Sequence, residues 1–114
     1  MQYMLLIYST EGDGPDDPAM VDRYAAFSQE VRDAGKFVAA GRLRPTSTAS
    51  SVRVRDGQLE VTDGPFAETK EQLGGYYLLE CDDLDEAIAY ARKIPASEHG
   101  SIELRPIWEV PVRA

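Results

Sequence analysis

With one histidine and one cysteine, His99 and Cys81, this 114-residue chain has few routes to chemistry. A lone histidine excludes a multi-histidine metal site within one chain, and no metal is expected. A lone cysteine excludes an intramolecular disulfide and fits a reducing compartment. Positive charge is also short: twelve Lys+Arg against twenty Asp+Glu leave a net charge of -8. Such a field repels phosphate backbones, and Arg42, Arg44, Arg53 and Arg55 are spread through a region that also needs strand residues. No nucleic-acid partner is expected. The apolar run Met1–Tyr8 is too short for a signal-peptide core and has no basic leader. No segment approaches the ~18 to 20 apolar residues of a membrane span. The expected location is the cytoplasm, away from membranes. There is no Gly-rich phosphate loop and no dinucleotide fingerprint, so no cofactor is expected.

The length argues for a single domain, 1–114, able to bury roughly two thirds of its unfolded surface without a staple. Tyr3–Tyr8 reads as a strand buried on both faces. The polar stretch 9–18 is dense in turn formers, and Asp17 caps a helix that starts at Pro18. Met20, Tyr24, Phe27 and Val31 form its apolar stripe, and Gly35 ends it. Phe37–Ala40 reads as a short strand. Ser51–Arg55 and the alternation of Leu59 and Val61 form a hairpin around Asp56-Gly57. Gly75–Cys81 is a strand apolar on both faces. Asp83 with Glu86 starts a second helix, whose stripe is Leu84, Ala87, Ile88 and Ala91. Ser101–Val110 is a last strand, placed at an edge or bulge by Pro106. This order is α+β and ferredoxin-like with an extra hairpin, with both helices on one face of an antiparallel sheet. Two helices cover one face only, and strands apolar on both faces therefore predict a homodimer formed sheet to sheet.

Cys81, at a strand end, reads as a quiet buried thiol. His99 reads as an exposed loop residue, and as the one group titrating near neutrality it leaves an acid–base role open. Glu11, Asp13, Asp16 and Asp17 form a solvated loop ending in the helix cap. Asp82, Asp83, Asp85 and Glu86 sit where a helix dipole favours them, without an EF-hand pattern. The stretch VTDGPFAETKEQ, residues 61 to 72, holds the densest combination of charge and constrained backbone. Asp63 can organise a turn by accepting the Phe66 amide or a later one, because Pro65 has none to give. Phe66 can anchor the loop in the core, and Thr69 with Gln72 has capping-box spacing for one helical turn. Turn chemistry leaves Glu68, Lys70 and Glu71 without a structural role.

The run VTDGPFAETKEQLGGYYLLE, preceded by VRVRDG and followed by DDLDEAIAYARKIP and IELRPIWEV, closely resembles the DGPF-type branch of the YCII-related proteins. The resemblance extends from Met1 to about Val110. It implies a dimeric α+β barrel built from ferredoxin-like protomers, and it brings no settled activity. It also implies a regulatory or stress context, since members of the branch are often encoded beside extracytoplasmic-function sigma factors. In the wider family a first-helix histidine is paired with an aspartate. The spacing to Gly35 and Gly41 puts that histidine at Tyr24, whose phenol titrates near pH ~10 and serves as a hydrogen-bond donor rather than a base.

Two functional expectations follow. In one, a small molecule binds between helix 1 and the sheet near the DGPF loop, and the protein is possible as an enzyme. Asp63 is then the candidate catalytic group, and Tyr24, Glu68, Lys70 and Arg105 are the candidate ligand-binding groups. In the other, the protein is a non-catalytic sensor or adaptor for a sigma factor, and the charged loop is its contact surface.

Overall fold

Alternation along the first strand fixes the two faces of the sheet. In β1 (Gln2–Ser9), Tyr3, Leu5 and Ile7 are buried while Met4, Leu6 and Tyr8 are half-buried. The computed structural model describes residues 1–12 and 17–109, so Asp13 and Asp16 of the acidic loop, and Val110, lie outside the described residues. Helix α1 (Pro18–Asp33) starts as the sequence predicts, with Asp17 accepting the Ala19 amide at 3.0 Å. It ends at Gly35, whose φ of 73° lets the Lys36 amide reach back to the Val31 carbonyl at 2.9 Å. This is the glycine-terminated cap that satisfies carbonyls of the last turn.

β2 (Phe37–Arg42) leads to the hairpin β3 (Ser50–Arg55) and β4 (Gln58–Asp63). Asp56 and Gly57 both have positive φ, 51° and 74°, as a type I′ turn requires. β5 (Gln72–Glu80), α2 (Leu84–Ala91) and β6 (Ser101–Pro106) complete the fold. The main sheet is antiparallel with strand order β2-β5-β1-β6, and β3-β4 forms a separate two-stranded sheet. The class is α+β, ferredoxin-like with an extra hairpin. This is the protomer from which dimeric α+β barrels are assembled.

The core lies between the inner sheet face and the helices. Leu5, Leu79, Val31 and Ala87 are fully buried there, and the Phe27 and Tyr77 rings meet edge to face at 5.0 Å. Helix α2 is capped by Asp83, which accepts the Glu86 amide at 2.8 Å. Lys36 ties that end of the helix to β2 through Glu86 at 2.9 Å and Asp82 at 3.3 Å.

Four local expectations are corrected. The α2 stripe is narrower than its apolar residues: Ala87 and Ala91 are buried, but Leu84 and Ile88 stay half-exposed at 50% and 46%. Alanines bring this short helix close to the sheet and leave the flanking positions turned outward. Phe66 is 81% exposed and anchors nothing in this protomer. Thr69 and Gln72 do not start a helical turn. Thr69 donates to the Glu71 carbonyl at 2.6 Å, and Gln72 donates to the Thr69 and Ala67 carbonyls at 3.1 and 3.3 Å. The last strand stops at Pro106, on the sheet edge where a missing N–H is tolerated.

Candidate functional site

A cavity of about 610 Å³ opens where β1 and β2 end and β5 begins. Helix α1 contributes Val21 and Tyr24 to one wall, one helical turn apart. The opposite wall is sheet. Gly41 of β2 and Gly74 and Gly75 of β5 are part of it, with Tyr76 and Tyr77. These glycines are inside strands, where glycine marks close approach of another group. A Cβ on Gly75 would stand 2.9 Å from the Gly41 carbonyl oxygen, and one on Gly41 would stand 2.8 Å from the Tyr76 ring. The Tyr76 ring thus fills the space over Gly41, Gly75 is buried against the Gly41 carbonyl, and both positions are glycine because β2, β5 and that ring pack so closely.

The rim is built by Glu11, Arg42, Arg44 and Pro45. Both carboxylate oxygens of Glu11 are engaged: one accepts the Thr46 amide at 2.7 Å and the other the Thr46 hydroxyl at 3.0 Å. That pair of bonds ties the loop after β1 to the segment after β2. Tyr77 is held by its hydroxyl, 2.8 Å from the Ser28 hydroxyl. The Tyr24 phenol is half-buried. Its pKa lies above the ordinary value because burial disfavours the phenolate; a hydrogen bond with the Ala96 backbone and the more distant Arg42 charge act in the opposite direction. Tyr24 is thus a neutral hydrogen-bonding group at physiological pH.

Of the five residues selected from the sequence, Tyr24 lines this cavity. Asp63 ends β4 opposite Ser50 and is exposed. Among the described residues, the turn after it is closed by the Gly64 amide to the Ala49 carbonyl at 2.7 Å and the Ser51 hydroxyl to the Gly64 carbonyl at 2.8 Å. The Asp63 carboxylate does not close it. Glu68 and Lys70 are exposed on the following segment, which meets the cavity at Gln72. Arg105 is on β6, the sheet edge opposite β2, where it lies across from Met4 and 4.0 Å from Glu103.

His99 is exposed after the 3-10 turn Pro95–Glu98. Cys81 is buried, and desolvation raises its thiol pKa, with the nearby Glu86 charge adding to the shift. Among the described residues, no group of three His, Cys, Asp or Glu side chains is placed to hold a metal ion, and no helix is long and apolar enough to cross a membrane.

The molecule is a ferredoxin-like α+β protomer with a cavity at one end of its sheet. The model of the YCII-related domain matches residues 1–111, and the chain belongs to this family. An uncharacterised protein of Rhizobium meliloti is 39% identical over 114 residues, covering 94% of this chain and 92% of that protein. Among solved structures, the chain is similar to 5-chloro-2-hydroxyhydroquinone dehydrochlorinase from Burkholderia phenoliruptrix, in complex with 2,5-dihydroxybenzoquinone. The TM-score is 0.52 at 13% identity, over 96% of this chain and 94% of the other. A likeness at that identity shows the shared fold.

Proposed function

We propose that this chain, a DGPF-type member of the family, binds a small organic molecule in the cavity between α1 and the sheet. The observation that carries this reading is the cavity itself, about 610 Å³ and lined by Tyr24, Val21 and the backbone of three strand glycines. Its volume is in the range of ordinary ligand sites. The dehydrochlorinase of the same fold, which is bound to a small ring compound, supports the reading. Tyr24 is the group proposed to contact the ligand. Asp63, Glu68, Lys70 and Arg105 are outside the cavity of their own protomer, so an acid–base role for Asp63 needs loop movement or a second copy.

The proposal includes a homodimer in the cytoplasm. Met4, Leu6, Tyr76 and Leu78 lie on the sheet face that the helices leave uncovered. The hairpin adds Val52, Val54, Leu59 and Val61, all on one face and 61 to 68% exposed. An isolated two-stranded hairpin is marginal in water, and exposed apolar strands invite association. The radius of gyration, 16.2 Å, exceeds the about 13 Å of a compact chain near this length, as a projecting arm requires. A second reading, a non-catalytic adaptor for an extracytoplasmic-function sigma factor, is favoured by the exposure of Phe66 beside Glu68 and Lys70.

A thermal-shift screen of metabolites on wild type, Val21→Trp and Asp63→Asn separates these. Indole at position 21 fills the cavity, so a ligand of that site stabilises wild type and not Val21→Trp. Equal stabilisation of both removes the cavity as the site. Loss of response in Asp63→Asn alone brings that carboxylate into the site.

A further inference from the structure

The β3–β4 hairpin is an amphipathic arm with one face to be covered. Val52 pairs with Val61 and Val54 with Leu59, which puts four apolar side chains on one face, 61 to 68% exposed. Arg53 pairs with Glu60 and Arg55 with Gln58 on the other face. Among the described residues the arm shares no strand pairing with the main sheet, and a two-stranded ribbon alone is marginal in water. The two segments at its root also line the cavity. Leu43, Arg44 and Pro45 do so on the way into the arm, and Gln72 and Leu73 on the way out. Hydrogen bonds join these segments. The Gly64 amide donates to the Ala49 carbonyl at 2.7 Å, the Ser51 hydroxyl to the Gly64 carbonyl at 2.8 Å, and the Leu43 amide to the Gly74 carbonyl at 2.9 Å. Between them, the Thr48 and Ala49 amides donate to the Pro45 and Thr46 carbonyls at 2.9 and 3.0 Å. Order in the arm is thus passed to the cavity rim through a short run of bonded backbone.

We propose that a second copy of this chain covers the apolar face of the arm and thereby fixes the cavity rim, so that ligand binding and association are linked. A second copy fits for two reasons. The arm's four side chains are too few for the ~1,200–2,000 Å² that a stable interface buries. The same chain supplies the remainder in Met4, Leu6, Tyr76 and Leu78 of the uncovered sheet face, and a two-fold axis offers both patches to both copies. None of these residues carries a charge, so the contact itself opposes no like charges although each copy carries -8. In a single copy the arm opens, and the rim from Leu43 to Ala49 loosens with it. By linkage, a ligand that needs the ordered rim favours the dimer to the same degree. The inference rests on the cavity being the ligand site and names how that site is regulated.

The test is amide hydrogen exchange, which needs no ligand, so its outcome is separate from that of the cavity reading. Wild type, at a concentration where light scattering gives the dimer mass, is compared with Leu78→Asp, a change outside both the arm and the cavity lining. In the monomeric variant the amides of β3 and β4, and those of Thr48, Ala49 and Gly64, should exchange at least ~10-fold faster. Leu5 and Leu79 in the core should keep wild-type protection. Leu59→Asp, on the arm itself, should give the same pattern. Where a variant loses core protection too, wild type diluted until it dissociates takes its place under the same criteria. A wild type that is monomeric throughout, or a monomer whose arm keeps its protection, overturns the inference. So does faster exchange confined to β3 and β4 with Thr48, Ala49 and Gly64 unchanged, because arm and rim would then be independent.

Discussion

Replacing Gly75 by alanine tests whether this position is glycine by necessity. The new Cβ would stand 2.9 Å from the Gly41 carbonyl oxygen and 3.7 Å from the Arg42 Cα. Both neighbours are backbone of the adjacent strand, so relief requires β2 and β5 to move apart by a few tenths of an ångström. Overpacking of this kind costs about 1–3 kcal/mol. The reduced entropy of the unfolded chain returns ~0.4–1 kcal/mol, leaving a net loss of about 1–2 kcal/mol. At ~2.1 cal/mol/K of unfolding entropy per residue, this chain loses roughly 4 °C of Tm per kcal/mol, so Tm should fall by about 4–8 °C. Gly74 is the internal control. Its nearest neighbour is the Ile7 carbonyl oxygen at 3.9 Å, an ordinary contact, and Gly74→Ala should leave Tm unchanged or slightly raised. The assay is a thermal melt by circular dichroism at one fixed protein concentration. Equal Tm values for Gly75→Ala and wild type, or a larger drop in Gly74→Ala, would refute the close-approach argument.

Leu78→Asp, on the uncovered sheet face, should convert the proposed dimer to monomer, because a dimer would bury an unpaired charge. Light scattering should then give the chain mass for the variant and twice that for wild type, and a folded wild-type monomer would remove the sheet-to-sheet model. Asp83→Ala deletes the bond to the Glu86 amide and should cost about 1 kcal/mol by chemical denaturation. No loss would mean that the Lys36 bridges to Asp82 and Glu86 hold this helix end alone. The raised thiol pKa of Cys81 means the unfolded chain releases that proton first as pH rises. Its contribution to stability is therefore complete below the ordinary thiol pKa and declines above it toward the folded value. Cys81→Ala should flatten that alkaline decline, and an unchanged slope would assign it to other groups.

Much of the fold was legible because its signals are local. Asp17 before Pro18, Gly35 after Val31, Asp56-Gly57 between alternating runs and Asp83 before Leu84 each act within a few residues, and each appears where expected. The misread positions depend on contacts distant in sequence. Leu84 and Ile88 look like core by spacing, but how closely α2 approaches the sheet is decided by Ala87 and Ala91. Phe66 looks like an anchor, but a side chain on a segment beside a projecting hairpin has no core within reach of its own protomer. The cavity was half legible. Tyr24 emerged from the resemblance, whereas Arg44 and Glu11 are brought to its rim only by the loops that follow two different strands. One signal was available: Gly74-Gly75 inside an apolar strand and Gly41 at the end of another mark a place where something must come close to backbone.

The most direct test of the cavity as the binding site is amide chemical-shift mapping during a titration with a compound that the thermal-shift screen finds to stabilise wild type and not Val21→Trp. The largest shifts should cluster at Gly41–Arg44 and Gln72–Tyr77, with smaller ones at Val21 and Tyr24. Shifts confined to Asp63–Lys70, or none anywhere at saturating ligand, would contradict that assignment.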